Sequence, residues 1–229
     1  MSDIIISAIC FVVTVLLYYA NKKLYRQRRT LLLMPLVFTP VVLVLLLVVA
    51  HVTWQDYIGE THWLLWLLGP STIAFAVPVY ENLPIIRRHW LSLSAGVVTA
   101  IIVAVFSSVW SARLFALPEV IQRSLSVRSI TTPFALAAAK QVGGQPDLVA
   151  LFVVITGVFG MAIGDMMFLR LAVKSKLAKG ASLGASSHGA GTAKAYDMGA
   201  EEGVVSSLVM MLAGVVTVVM APVIGMLMW

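Results

Sequence analysis

The stretch Leu148–Leu169, LVALFVVITGVFGMAIGDMMFL, decides the fold class, because its 22 residues carry a single charge, Asp165. At about 1.5 Å of rise per residue such a helix is about 33 Å long, enough to cross a hydrocarbon core roughly 30 Å thick. Outward from it, Ile4–Ala20, Leu31–Ala50 and Leu91–Ala112 read the same way, and Val204–Trp229 is equally apolar. A sixth run, Trp63–Tyr80, contains Gly69-Pro70 and Pro78. Proline removes a backbone donor and breaks the helical ladder, so this run predicts a discontinuous span. Composition agrees: 60% of the 229 residues are hydrophobic and 11% charged, against about 45–50% and about 25% in soluble domains. A water-soluble globule is excluded. The expected fold is an all-α polytopic membrane protein with about six full spans plus discontinuous or re-entrant segments, in a single integral membrane domain over residues 1–229.

The single Cys10 can form no intramolecular disulfide and supplies no metal-finger spacing. The net charge of +6 does not point to nucleic acid, because the basic residues flank apolar runs. Such clusters mark cytoplasmic loops. Lys22, Lys23, Arg26, Arg28 and Arg29 follow the first run; Arg87 and Arg88 follow the broken one; Arg170, Lys174, Lys176 and Lys179 follow Leu148–Leu169. The Val52–His62 loop has Asp56 and Glu60 but no Lys or Arg, and Trp54, Tyr57, Trp63 and Trp66 suit an interfacial belt. That loop is expected outside. Arg113 and Arg123 fall on the same outer side, against the rule. Met1-Ser2-Asp3 has no basic n-region, so the first run reads as a retained helix with its N-terminus outside rather than a signal peptide.

Two polar stretches remain, Leu117–Asp147 and Gly180–Gly203. Side-counting makes the first start and finish on one face, as a re-entrant hairpin or two short crossings. The second is expected to dip into the membrane or cross it as a broken helix, and its parity decides the side of Trp229. Non-helical backbone at that depth survives only against protein or water. Ala95–Thr99 (AGVVT) recurs as Ala213–Thr217, an offset of 118 that suggests repeat halves 1–115 and 116–229 and lays Gly69–Tyr80 over Ser187–Met198. The charge rule gives the Leu31 and Leu148 runs opposite directions, so the repeat is expected to be inverted. The first run falls on Gln122–Ala138, which does not fit a simple inversion.

Broken helices expose backbone N–H groups and a positive dipole end, which suit a carboxylate or phosphate. Three segments offer this: GPSTIAFAVPVYEN (69–82), SVRSITTPFALAAAK (126–140) and GASSHGAGTAKAYD (184–197). The candidate substrate-binding residues are Ser71, Thr72, Arg128, Thr131, Thr132, His188, Thr192 and Lys194. Asp165 and His188 are candidates for proton coupling, since a charge at the bilayer centre is costly and histidine titrates near neutrality. Each has a plainer reading. Small and hydroxyl residues permit close helix packing, Asp165 can pair with Arg170 or a nearby lysine, His188 can cap backbone, and Arg128 and Lys194 can snorkel. No nucleophile elbow, phosphate-binding glycine motif or metal-ligand spacing is present, so no enzyme, cofactor or metal is expected.

The segments GPSTIAFAVPVYEN, SVRSITTPFALAA and ASSHGAGTAKAYDMGAEEGVVSSL, in this order, resemble the bacterial LrgB/CidB family, and SHGAGTAKA is the most specific part. The resemblance covers nearly the whole chain. It implies a multi-pass protein of the bacterial inner (cytoplasmic) membrane, linked to control of murein hydrolase activity and autolysis and described as holin- or antiholin-like. It also implies a small LrgA/CidA-type membrane partner, a homo-oligomer, and kinship with transporters of small monocarboxylates: pyruvate in bacteria, glycolate and glycerate in the plastid inner envelope. Arg128 stands where the family pattern leads to lysine, which keeps the positive charge. Two readings follow. One is a secondary transporter holding a small carboxylate between broken segments, in which the 69–80 and 185–197 segments are expected to meet at mid-membrane. The other is a lysis modulator without a defined substrate site.

Overall fold

A computed structural model of the protein describes residues 2–28, 30–74 and 76–229, with the side chains at positions 2, 3, 31, 71, 72, 76, 78 and 79 outside that description. All regular structure among the described residues is helical. The chain divides into two compact units, Met1–Ser71 and Thr72–Trp229.

The first unit holds α1 (Ser2–Gln27), α2 (Pro35–Val49) and α3 (Trp54–Trp66). Within α1, Ile4–Gln27 is long and apolar enough to span a membrane. The Leu31–Ala50 run is instead a 3-10 turn at Leu31–Leu33 followed by the 15-residue α2. Pro35 explains the shortening: the residue before a proline is driven out of helical geometry, and Met34 is extended at φ −59°, ψ 132°. Asn21 Nδ2 donates to Thr39 Oγ1 at 3.1 Å and ties α1 to α2. Ser7 Oγ donates to the Asp56 carbonyl at 2.6 Å and ties α1 to α3. The Trp63–Tyr80 run is interrupted at Leu67, three residues before Pro70, as its Gly-Pro position predicts; the rest of the run holds α4 (Leu68–Ala74) and α5 (Ala76–Glu81), and the break expected from Pro78 falls at residue 75, outside the described residues.

The second unit is built on three long apolar helices, α6 (Leu83–Leu114), α9 (Pro146–Arg170) and α11 (Ala200–Met228). With Ile4–Gln27 they make four helices able by length and composition to cross a membrane. The α6 and α11 ends meet where Arg113 donates to the Met228 carbonyl. Helix α9 runs the other way. Its C-terminal half lies along the first half of α10 (Lys176–Met198), with Gly164 against Leu183 and Gly160 against Ser187.

Between the long helices lie two helical hairpins, one from each end of the unit. The first is α7 (Glu119–Ser126) and α8 (Thr132–Val142), joined by the irregular stretch 127–131. Its base is held where Arg123 bonds Glu119 Oε1 and, through Nη1, the Val142 carbonyl at 2.7 Å, with the guanidinium 4.9 Å from the Trp229 ring centroid. Arg113 and Arg123, the two charges that counted against the sidedness rule, therefore each cap the carbonyl end of a helix. Ala135, Ala138, Ala139 and Val142 of α8 are fully buried, and their i, i+3, i+4, i+7 spacing makes one continuous packing face. Gly214 of α11 leaves room for the Phe134 ring.

The second hairpin is α10 itself, folded back at His188, whose φ of 39° and ψ of −119° are non-helical. The return half doubles against the first, with Gly191 on Leu183 and Ser187. Both halves then pack on α11: Gly184 abuts the Ser206 backbone and Gly203 the Tyr196 ring. The sequence expectation of a broken element in Gly180–Gly203 is met by a hairpin that returns to the end it left. At its base Lys176 Nζ lies 3.2 Å from Glu201 Oε2, and that carboxylate raises the lysine's pKa above its ordinary value.

Candidate functional site

The two hairpin tips meet α9 at consecutive residues near its middle. From the first tip, Arg128 Nε donates to Ser108 Oγ of α6 at 2.9 Å and Nη1 to Thr156 Oγ1 of α9 at 3.1 Å. From the second, the His188 ring lies over Gly157, where an added Cβ would stand 2.8 Å from His188 Cε1. His188 is 5% exposed, its ring reaches the Val153 backbone, and its Nε2 has no hydrogen-bond partner. A positive φ outside glycine is strained and persists only where surrounding packing enforces it. Here the enforcing contact is a glycine-lined seat on α9.

A cavity of about 740 Å³ lies between α6 and the first half of α10. Its walls are small, with Gly96, Ala100 and Ala104 facing Ala178, Ser182 and Ser186, and Arg128 and Ser129 stand at the tip end. The lining runs from Ser92 and Ala178, at the end of the unit where the basic Arg170–Lys179 connection lies, inward to Arg128. Among the described residues no carboxylate pairs with Arg128, whereas Arg123 pairs with Glu119, Lys176 with Glu201 and Lys194 with Asp165. A half-buried guanidinium without a counter-charge is costly in an apolar surrounding, and an arriving anion removes that cost.

The other candidates fall elsewhere. The side chains of Ser71 and Thr72 lie outside the described residues. Thr131 is buried at the N-cap position of α8 and Thr132 opens that helix, half-buried. Thr192 Oγ1 shares a hydrogen bond with Ser206 Oγ at 3.0 Å, which joins the return half of α10 to α11. Lys194 Nζ lies 2.6 Å from Asp165 Oδ2, so these two predicted charges are brought together and satisfy one another. Of the six substrate-binding candidates whose side chains are described, the cavity lining includes Arg128 alone. The segment that reaches α9 beside the 185–197 tip is Ser126–Thr131, while α5 of the 69–80 run packs on α11. Sequence reasoning missed Ser108, Thr156, Ser182 and Ser186. A hydroxyl beside a glycine inside a long apolar run, as in Thr156-Gly157, was the available signal. Among the described residues no group of three or more His, Cys, Asp or Glu is placed to hold a metal.

Apolar helices long enough to cross a membrane, which in the second unit pack around two opposed helical hairpins beside a cavity ending at an arginine, define an all-helical membrane protein. The chain matches the LrgB-like family over residues 14–227 and belongs to it. It is 34% identical over 217 residues to the uncharacterized protein YwbG of Bacillus subtilis, covering 95% of this chain and 96% of that one. It is 27% identical over 227 residues to the holin-like protein CidB of Staphylococcus epidermidis, covering 99% of each. The same identity and coverage hold for the holin-like protein CidB of Staphylococcus aureus. No solved structure matches the chain.

Proposed function

We propose that this protein is a secondary carrier of small carboxylates of the pyruvate and glycolate class in the bacterial inner (cytoplasmic) membrane. The observation that carries the reading is Arg128, unpaired by any carboxylate among the described residues, at the inner end of a cavity of about 740 Å³. Helix α8 begins a few residues beyond it, at Thr132, so Thr131 and Thr132 present hydroxyls and a positive dipole end near the same tip. His188, Thr192 and Lys194 act in this reading through the second hairpin, and Asp165, held by Lys194, is the coupling carboxylate. Ser71 and Thr72 are retained as substrate contacts on the strength of their broken segment.

The topology that goes with this is six crossings: α1, the Leu31–Ala50 run, the α3–α5 run, α6, α9 and α11. With the basic connections in the cytoplasm and α10 returning to the face it left, Trp229 lies outside. An inverted repeat is part of the proposal. Letters recur at an offset of 118, pairing 1–115 with 116–229, but backbone landmarks recur at 56. Ala116 and Ala172, both at φ 49°, close α6 and α9 with matching hydrogen bonds. Gly143 and Gly199 end the two return helices. The shorter period supports two hairpins entering from opposite faces. A small LrgA/CidA-type membrane partner and a homo-oligomer complete the proposed assembly.

The name of the CidB relatives favours a second reading, a holin-like modulator of cell lysis that works by assembly in the membrane. Uptake of labelled pyruvate, glycolate and lactate into vesicles containing the purified protein, with and without a pH gradient, separates the two. The carrier reading predicts saturable uptake of at least one of them, lowered at least about tenfold by Arg128→Ala, as expected for losing a charged anchor. No uptake of any, alone or with the small partner, contradicts it.

A further inference from the structure

We infer that Ser108 and Thr156 are positioning residues that fix which edge of the Arg128 guanidinium a ligand can reach, so that a single planar carboxylate is taken end-on through the two terminal nitrogens. The inference rests on the carrier reading and deepens it.

The argument is a count of donors. A guanidinium offers five N–H groups in a fixed plane: one on Nε and two on each terminal nitrogen. A carboxylate docks on it in two good ways, side-on through Nε and Nη2, or end-on through Nη1 and Nη2. Nε–H is already given to Ser108 Oγ at 2.9 Å. Ser108 is itself settled, since its hydroxyl proton goes to the Ala104 carbonyl at 2.6 Å and its lone pair is thereby turned to Arg128. Nη1 gives one proton to Thr156 Oγ1 at 3.1 Å. The side-on edge is therefore occupied from α6, the guanidinium is held from α9 through one proton of Nη1, and the other Nη1 proton and both Nη2 protons are left for a ligand.

Two hydroxyls on separate long helices thus fix the plane of one cation. Neither carries charge, so the positive charge of Arg128 is left whole for the ligand; a carboxylate in either place would have neutralised it. The cavity walls around it are alanine, glycine and valine with scattered serines, and they offer no second cation for a second carboxylate. The site so built recognises one carboxylate on a short body.

This arrangement makes arginine and lysine unequal here. A lysine ammonium is a point charge that cannot donate to Ser108, Thr156 and a carboxylate in one plane. The test uses the full-length protein in vesicles with labelled pyruvate, or whichever of glycolate and lactate the wild type carries, as probe. Thr156→Val and Ser108→Ala are expected to raise the half-saturating concentration about tenfold each while leaving the maximal rate within about twofold, the split expected when the anchor stays charged but is no longer held. Thr156→Ser restores the hydroxyl and is expected to restore the half-saturating concentration. Arg128→Lys is expected to bind more weakly than the wild type, and adding Thr156→Val to it is expected to change little. Thermal unfolding of each variant in detergent separates misfolding from loss of positioning. Unchanged half-saturation in both hydroxyl variants, with uptake by the wild type intact, overturns the positioning inference alone. Wild-type vesicles that carry none of the probes overturn the carrier reading beneath it.

Discussion

At the scale of single residues, the charges are sorted by whether they have a partner. Lys194 and Asp165 sit 2.6 Å apart, Arg123 is shared among Glu119, the Val142 carbonyl and the Trp229 ring, and Arg113 holds the Met228 carbonyl. Arg128 has two neutral hydroxyls. The sequence made Lys194 and Arg128 look equivalent, each a lone cation in a Gly/Ala/Ser/Thr segment. Their difference lies in partners 29 and 28 positions away, and no local pattern encodes that distance. The pairing predicts a double-mutant result. Asp165→Asn or Lys194→Gln alone leaves one unpaired charge on the flank of α9 or α10, and each is expected to lower the unfolding midpoint in detergent by roughly 2–4 °C. The double variant is expected to recover most of that loss. Additive losses would show that the pair is not coupled.

At the scale of elements, the breaks were more legible than the lengths. The His188 turn was signalled by Gly184, Gly189 and Gly191 around a lone histidine, and the α7–α8 hairpin by the need for Leu117–Asp147 to begin and end on one face. Gly69-Pro70 announced the division of the Trp63–Tyr80 run. Leu31–Ala50 was misleading in length, because apolar composition persists through Met34 while the backbone does not: Pro35 starts a helix of 15 residues. The glycines of α9 carry a different message. Gly157 has helical neighbours and needs no special dihedral, yet a methyl group there would lie 2.8 Å from His188 Cε1 and 3.2 Å from Ala190 Cβ. Gly157→Ala is therefore expected to lift the α10 tip and cost about 1–3 kcal/mol, despite the gain in helix propensity that alanine brings in an exposed helix. Gly96→Ala, which meets nothing within 4 Å, is the matched control and is expected to be neutral to slightly stabilising. Equal midpoints for the two variants would show that the seat on α9 is not tight.

At the scale of the whole molecule, the second unit brings two hairpins from opposite ends to adjacent positions on one helix, Thr156 and Gly157, and leaves a cavity on one side of that meeting. The membrane class was legible from composition alone, since a chain with 11% charged residues cannot clothe a soluble surface. The site was legible only as a set of segments. Its assembly depends on which helices approach closely, and that is decided by contacts such as Gly184 on Ser206 and Phe134 on Gly214, in which glycine and alanine look alike in any apolar run. The central claim is that the cavity is reached from the basic face and binds a small carboxylate at Arg128. Ser182 lines the cavity and is exposed within it, and Cys10 is the chain's single native cysteine. The most direct measurement is labelling of Ser182→Cys, in a Cys10→Ser background, by a membrane-impermeant thiol reagent applied from either side of oriented vesicles. The account predicts labelling from the cytoplasmic side, slowed by pyruvate, glycolate or lactate but not by glycerol, and no such protection when Arg128→Ala is added. Labelling that ignores every carboxylate, or that is equally protected without Arg128, would contradict it.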